Sequence, residues 1–164
     1  MKKYLLTLCI AVTMGGVYAQ EGFKLGIQAG IPFNDFDEQV SIAVALDIGY
    51  MHALGEVVDL GIISGIIHGF PETFQTSDVT IDFPSIQFVP LTAAIRIWPS
   101  NSFSFGGNAG YAFGLNEGNE GGVYFRPIIG YLLGAKTEIN VSYTSISLDT
   151  ASWTTATLGI LYTF

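Results

Sequence analysis

The sequence predicts an all-β protein, an eight-stranded antiparallel up-and-down transmembrane β-barrel. Apolar and small or polar residues alternate with period 2 in eight stretches, and short and long connections alternate between them. Charged residues make up only 12% of the 164 residues, whereas aromatic residues reach 13% and glycine occurs 20 times. A soluble domain usually has about 25% charged residues. Together these features are typical of a barrel whose outer face contacts lipid.

Residues 1–20 have the pattern of a secretory signal peptide. Two lysines precede an apolar run, and the tripeptide VYA that ends at Ala19 is an acceptable cleavage site. The apolar run is shorter than the ~20 residues that a spanning helix needs. The predicted organisation is therefore a signal peptide over residues 1–19 and one outer-membrane barrel domain over residues 20–164.

Charge and cysteine content exclude several classes of function. Removing residues 1–19 removes Lys2 and Lys3 and no acidic residue, which changes the net charge from −8 to −10. Such an acidic chain does not bind nucleic acid non-specifically, because that requires a basic surface. Cys9 is the one cysteine and lies in the predicted signal peptide, so we expect no disulfide and no thiolate metal site in the remainder. No cofactor is expected.

The first four alternating stretches span residues 23–31, 40–50, 58–69 and 89–97. Their predicted outward phases run in steps of two from Phe23, Val40, Val58 and Val89. Ile86 and Phe88 precede the fourth stretch on the wrong phase. We therefore expect a bulge or a protruding end near Pro90.

The last four stretches span residues 103–114, 123–133, 138–144 and 153–164. The sixth stretch overall is the least regular, because Ile128 and Leu132 blur its phase. The eighth has the sequence WTTATLGILYTF and ends on an aromatic ring. One phase consists of Ala156, Leu158, Ile160, Tyr162 and Phe164, and the other contains Thr155, Thr157, Gly159 and Thr163. This pattern suits a lipid-facing strand whose last ring lies at the membrane–water boundary.

The connections between the stretches differ in length. Short turns are predicted at 52–56, 99–102 and 134–136, longer polar loops at 32–39, 71–80 and 116–122, and a shorter loop at 149–152. Outer-membrane barrels place short turns in the periplasm and longer loops outside. The sequence therefore predicts a multi-pass protein of the outer membrane with both termini periplasmic.

Aromatic residues near the stretch ends predict two membrane-interface belts. The predicted periplasmic belt consists of Phe23, Tyr50, Trp98, Phe103, Tyr162 and Phe164. The predicted outer belt consists of Phe70, Phe113 and Trp153, with Phe33, Phe36 and Phe74 in the loops beyond.

Four segments resemble a known family: SIQFVPLTAAIRIWP (85–99), GGVYFRPIIGYLL (121–133), INVSYTSI (139–146) and LGILYTF (158–164). They are similar to the small porin-like outer-membrane β-barrel proteins common in Bacteroidota, and more distantly to membrane domains of the OmpA and OmpX type. The resemblance implies a barrel embedded in outer-membrane lipid, with no shared catalytic residues. It also implies that the barrel-insertion machinery recognises a C-terminal signal made of Leu158, Ile160, Tyr162 and Phe164.

Six charged residues within the strands fall on the inward, polar phase: Lys24, Asp47, Asp59, Arg96, Arg126 and Glu138. An eight-stranded barrel is just wide enough for its own side chains to fill. The charges are therefore expected to pair across the lumen, because an unpaired buried charge is costly. In particular, Arg96 and Asp59 are expected to be neighbours. A structural plug is the favoured interpretation, and an ion gate or proton path is the alternative.

Ser64, His68 and Asp78 are the one candidate set for a hydrolase or acyltransferase. No GxSxG stretch accompanies them. We therefore predict that the protein is not an enzyme.

The predicted outer loops are rich in carboxylates: Asp35, Asp37, Glu38, Glu72, Asp78, Glu117, Glu120 and Asp149. Solvated loop charge is the favoured interpretation. Coordination of divalent cations and binding of a surface partner both stay open.

The function expected from these features is a structural or surface-interaction role in the outer membrane. The alternative is a narrow passive channel, or a lateral route, for small or apolar solutes. A secreted lipocalin-like barrel is disfavoured, because it would place apolar residues inside, whereas the Gly, Ser and Asn phase points inward here.

Overall fold

The computed structural model describes residues 21–76, 79–82 and 85–164. The predicted signal peptide lies outside these residues, and so does Asp78. The strands of the described part are β1 (Gly22–Asn34), β2 (Val40–Ala53), β3 (Val58–Pro71), β4 (Thr73–Thr76), β5 (Val79–Asp82), β6 (Ile86–Ile97), β7 (Phe103–Gly114), β8 (Gly122–Leu133), β9 (Thr137–Ser147) and β10 (Ser152–Thr163). No helix of this part is long and apolar enough to cross a membrane.

Eight of these strands form a closed antiparallel barrel in the order β1-β10-β9-β8-β7-β6-β3-β2, and β4 and β5 form a separate hairpin. The first and last barrel strands close the sheet through an unbroken register, from Lys24 opposite Thr163 to Asn34 opposite Trp153. Closure leaves no barrel strand with an unpaired edge. The fold class predicted from the sequence is confirmed.

The exterior of the barrel is apolar, and the interior is polar at one end and apolar at the other. Strand β8 shows the alternation, with Val123 and Phe125 exposed and Tyr124 and Arg126 buried. Ile128 is buried on the same inner phase, so the stretch that looked least regular is regular in the structure. An outward-facing apolar band of this kind is the surface that a barrel presents to lipid.

The irregular point of the sheet lies in β2 and not near Pro90. The pairing of β2 with β3 shifts between Val40 and Ile42, and this bulge turns Val40 into the interior, where it is buried. Strand β6 keeps one register with each neighbour through the proline. The predicted bulge near Pro90 is therefore wrong, because Phe88 is a true inward-facing residue.

The two ends of the barrel differ. The turn end consists of the connections 54–57, 98–102 and 134–136 and of the first and last residues of the barrel. The loop end consists of the connections 35–39, 72–85, 115–121 and 148–151, of which the second contains the β4–β5 hairpin.

Both tryptophans depart from the predicted aromatic belts. Trp98 is 4% exposed and Trp153 is fully buried, so both point into the barrel. The other described belt residues are exposed on the outer face: Phe23, Tyr50, Phe70, Phe103, Phe113, Tyr162 and Phe164. Indole N–H groups need hydrogen-bond partners, and Trp98 finds one inside the barrel.

Candidate functional site

The interior contains all six charged residues that the sequence placed on the inward phase. Each is buried, and three are basic and three acidic: Lys24, Arg96, Arg126, Asp47, Asp59 and Glu138. They belong to six different strands, so the closed sheet brings them together from distant parts of the chain. Their charges balance, which limits the cost of placing them away from water.

The middle of the barrel is crossed by a two-point ion pair. Arg126 donates to Asp47 through two nitrogens, with Nη1–Oδ1 and Nη2–Oδ2 distances of 3.2 and 2.8 Å. Gln28 donates a further hydrogen bond to Asp47 Oδ2 at 3.2 Å. A bidentate guanidinium–carboxylate contact is both strong and geometrically specific. It ties strand β8 to strand β2 across the interior.

A second set of polar contacts lies nearer the turn end. Arg96 Nε is 3.9 Å from Glu138 Oε1, and Ser104 donates to the other oxygen of Glu138 at 3.3 Å. The side chain of Asp59 accepts from Trp98 Nε1 at 2.7 Å. Asp59 and Arg96 are directly opposite in the β3–β6 ladder. The neighbourhood expected from the sequence is present, but the closest polar contacts of these two residues go elsewhere.

Asn108 lies between the two guanidinium groups. Its amide group is 3.3 Å from Arg96 Nη1 and 3.1 Å from Arg126 Nη2. The amide oxygen accepts from one of these nitrogens in each of the two amide orientations. The side chain thus lies between the two sets of contacts and bonds one guanidinium group in each orientation.

The loop end of the interior is filled by an apolar core. It consists of Val40, Ala43, Ala45, Ile67, Phe88, Ala112, Tyr124, Ile146 and Trp153. The rings of Phe88 and Trp153 pack edge to face, with centroids 5.6 Å apart. Gly69 makes room for this packing, since a Cβ there would lie 2.6 Å from the Trp153 ring. A large side chain that fills the lumen, such as Trp153, thus requires a small residue at the position that it packs against.

The packed interior leaves very little free volume. One internal cavity beside Gln28 and Arg126 and another beside Lys24 and Trp98 each measure about 10 Å³. A cavity of that size holds at most about one water molecule. Neither of these two cavities is large enough to form a water-filled passage along the barrel.

The enzyme candidates Ser64 and His68 do not form a catalytic pair. They are four residues apart on one extended strand, which separates their Cα atoms by about 13 Å. The Ser64 hydroxyl donates to the carbonyl oxygen of Pro90 at 2.8 Å, and His68 Nδ1 lies 3.0 Å from Gln87 Nε2. Asp78 lies outside the described residues.

At the turn end, His52 and Tyr50 contact Glu21. His52 Nδ1 is 2.7 Å from Glu21 Oε1, and the Tyr50 hydroxyl donates to the same oxygen at 3.2 Å. The hydrogen bond with His52 holds the pKa of the Glu21 carboxyl below its usual value. These contacts attach the residue before β1 to the end of β2.

The loop end contains a cavity of about 630 Å³ that sequence reasoning did not anticipate, here called the outer cavity. Its lining comes from all four loop-end connections or the residues that flank them. The lining residues are Phe36, Ser85, Ile86, Asn116 to Gly121 and Leu148 to Ala151. No periodic signal marks such a site, because it forms from connections that are far apart in the sequence.

The acidic residues of the predicted loops are not equivalent. Glu117, Glu120 and Asp149 line the outer cavity. The Asp35 carboxylate instead accepts a hydrogen bond from the Ser152 backbone at 2.7 Å. Among the described residues, no group of three or more acidic, histidine or cysteine side chains is placed to hold a metal ion. Binding of divalent cations by these loops stays a prediction.

The four residues of the predicted C-terminal signal lie on the outer face of β10 and just beyond it. They are Leu158, Ile160, Tyr162 and Phe164, and all are exposed. The Phe164 backbone donates to the carbonyl oxygen of Phe23 at 2.9 Å, and its ring lies 5.0 Å from the Tyr162 ring. This placement leaves their side chains free on the surface that faces lipid in such barrels.

Comparison with known proteins shows the fold and no family. No protein-family model and no curated protein matches the sequence. The crystal structure of Ail, the attachment invasion locus protein of Yersinia pestis, superposes with a TM-score of 0.58 at 15% identity, covering 88% of this chain and 98% of that one.

Two further structures agree. The structure of the Yersinia pestis outer-membrane protein Ail in a phospholipid bilayer nanodisc gives a TM-score of 0.55 at 18% identity, covering 88% and 100% of the two chains. A de novo designed transmembrane β-barrel gives 0.53 at 13% identity, covering 87% and 94%. This chain therefore has the fold of small membrane-spanning β-barrels.

Proposed function

We propose that this chain is an integral outer-membrane β-barrel with no enzyme activity, whose role is carried out by the surface of its loop end. The observation that carries the proposal is the contrast between the filled interior of the barrel and the open outer cavity. The interior is filled by an apolar core and by three basic and three acidic side chains, whereas the loop end holds an open cavity of about 630 Å³. Among the described residues, the loop end thus offers a cavity large enough for another molecule.

The interior charges are best explained as a structural plug. The Arg126–Asp47 contact joins opposite parts of the wall, and Asn108 fills the space between Arg126 and Arg96. An ion gate would need a hydrated path, and the internal cavities of about 10 Å³ do not supply one. For the same reason an axial channel, the alternative function, gains no support from the packing of the lumen.

The proposed orientation places the loop end outside the cell and both termini in the periplasm. Short turns face the periplasm and longer loops face outward in barrels of this kind. The likeness to Ail supports a surface role by analogy, since that protein is described as an attachment invasion locus protein. The segments that resemble the Bacteroidota porin-like proteins support the same location, with insertion by the barrel-insertion machinery.

Cysteine labelling on intact cells tests location and orientation together. The one natural cysteine, Cys9, lies in the predicted signal peptide, so an introduced cysteine is the single reactive thiol of the cleaved chain. Thr150→Cys at the loop end should react with a membrane-impermeant maleimide on intact cells. Ala135→Cys at the turn end, the matched control, should react only after lysis. Labelling of the control alone on intact cells would contradict the proposed orientation.

A further inference from the structure

The outer cavity has the size and the construction of a ligand site. Its volume of about 630 Å³ lies within the range of small-molecule pockets, about 300–1,000 Å³. Its walls are held by hydrogen bonds: Asn116 Oδ1 accepts from the Gln87 backbone at 2.7 Å, and Asn119 Oδ1 accepts from the Gly121 backbone at 3.1 Å. Gly118, with φ of +78°, permits the tight turn between them. The pocket is thus largely formed before any ligand arrives.

The floor of the outer cavity is apolar. Phe36, Ile86 and Leu148 line it and are only partly buried, because they rest on the apolar core that fills the loop end of the lumen. The Phe36 ring lies 5.5 Å from the ring of Trp153 beneath it. Covering such a surface with an apolar group is favourable, at roughly 25 cal/mol per Å².

The rim of the outer cavity is acidic and has no basic counterpart. Glu117, Glu120 and Asp149 are exposed carboxylates on its lining. The four loop-end connections contain no lysine or arginine, because the basic residues after residue 20 lie in the lumen or, for Lys136, in a turn at the opposite end. The local potential is therefore negative, which attracts cations and repels polyanions.

We propose that the outer cavity binds a small organic cation with an apolar body, a molecule that carries an ammonium or guanidinium group beside an aliphatic or aromatic group. The inference rests on the proposed function, because the cavity must face the outside to meet such a ligand. The apolar body covers Phe36, Ile86 and Leu148, and the charged group lies among the rim carboxylates. A bare metal ion would leave the apolar floor uncovered, and a neutral hydrocarbon would leave the rim charge unbalanced.

The test uses 4-phenylbutylammonium as the probe and two molecules with the same apolar body as controls, neutral 4-phenylbutanol and anionic 4-phenylbutyrate. The isotope-labelled barrel in phospholipid nanodiscs is titrated at low salt and followed by its amide and indole N–H signals. The ammonium compound should shift the signals of residues 116–121 and the Trp153 indole saturably, while the Trp98 indole at the other end stays in place. Methylammonium, which lacks the apolar body, should bind roughly tenfold more weakly.

Matched variants distinguish the effect of the rim carboxylates on binding from the effect of the overall negative charge of the loops. The triple change Glu117→Gln, Glu120→Gln and Asp149→Asn should raise the Kd of the probe by roughly threefold or more. The control triple Asp37→Asn, Glu38→Gln and Glu72→Gln removes the same net charge from loop residues outside the cavity lining, and should change the Kd by less than twofold. Equal weakening by both triples, or equal binding of all three phenyl compounds, overturns the inference.

The cell-labelling result distinguishes this inference from the proposed function. If Thr150→Cys is labelled on intact cells and the probe gives no saturable shift, the cavity inference is wrong and the surface role stands. If only the Ala135→Cys control is labelled on intact cells, the orientation is wrong, and the inference falls with it.

Discussion

Breaking the ion pair in the middle of the barrel should destabilise the protein strongly, whereas replacing both partners should not. In Arg126→Met, the Asp47 carboxylate, 3% exposed, loses two hydrogen bonds of 3.2 and 2.8 Å and keeps only the one from Gln28. Hydrogen bonds to charged groups contribute about 1.5–3 kcal/mol each. Removing one partner of a buried pair costs about 3–5 kcal/mol, so we expect a loss of unfolding free energy of that size.

The assay is urea unfolding of the refolded barrel in detergent micelles, followed by far-ultraviolet circular dichroism. The double change Arg126→Gln with Asp47→Asn should recover most of the loss, because no buried charge is left without a partner. Lys136→Met removes an exposed basic residue from a turn and serves as the matched control, with an expected change below about 0.5 kcal/mol. If Arg126→Met unfolded at the same urea concentration as this control, the reasoning about the plug would be refuted.

The remaining predictions concern the outer face, the C-terminus and the lumen. Leu91→Arg, at an outward-facing position in the middle of β6, should lower stability in lipid by about 2–4 kcal/mol, whereas Leu115→Arg in a loop should lower it by about 0–1 kcal/mol. Equal losses of stability on refolding into lipid vesicles would contradict the assigned lipid face. Deleting Phe164, which is 59% exposed on the outer face, should lower the amount of barrel in isolated outer membranes, and a normal amount would count against an insertion signal there. The refolded protein should give no single-channel current in planar bilayers, because its lumen is filled, and discrete steps would revive the channel alternative.

The alternation of residue types carried most of the information about the wall of the barrel. A strand has only two faces, so a run such as the one that ends at Phe164 assigns every second side chain to lipid and the others to the lumen. The inward placement of Asp47 and Arg126 followed from this rule alone. Where the rule failed, at Val40, a bulge had inserted one extra residue and reversed the faces.

The tryptophans show where composition misled. Aromatic residues at strand ends are usual at membrane interfaces, yet Trp98 and Trp153 point inward. The phase of β10 already placed Trp153 opposite to the outward residues Leu158 and Phe164. Strand phase is thus a better guide than residue type at the barrel rims.

The sequence by itself determined the number of barrel strands, the two faces of most of them and the charge content of the lumen, because these follow from local period-2 alternation. It did not predict the β4–β5 hairpin, which lies in a segment read as a loop. Only the tertiary structure decided which of the charged side chains contact each other. Strands far apart in the sequence face each other across a closed barrel. Their relative tilt and stagger place Arg126 within hydrogen-bond distance of Asp47. The outer cavity also required the tertiary structure. Its walls come from four separate connections, and hydrogen bonds to other parts of the chain, such as that from the Gln87 backbone in β6 to Asn116, hold them in place. No pattern within one connection contains that geometry.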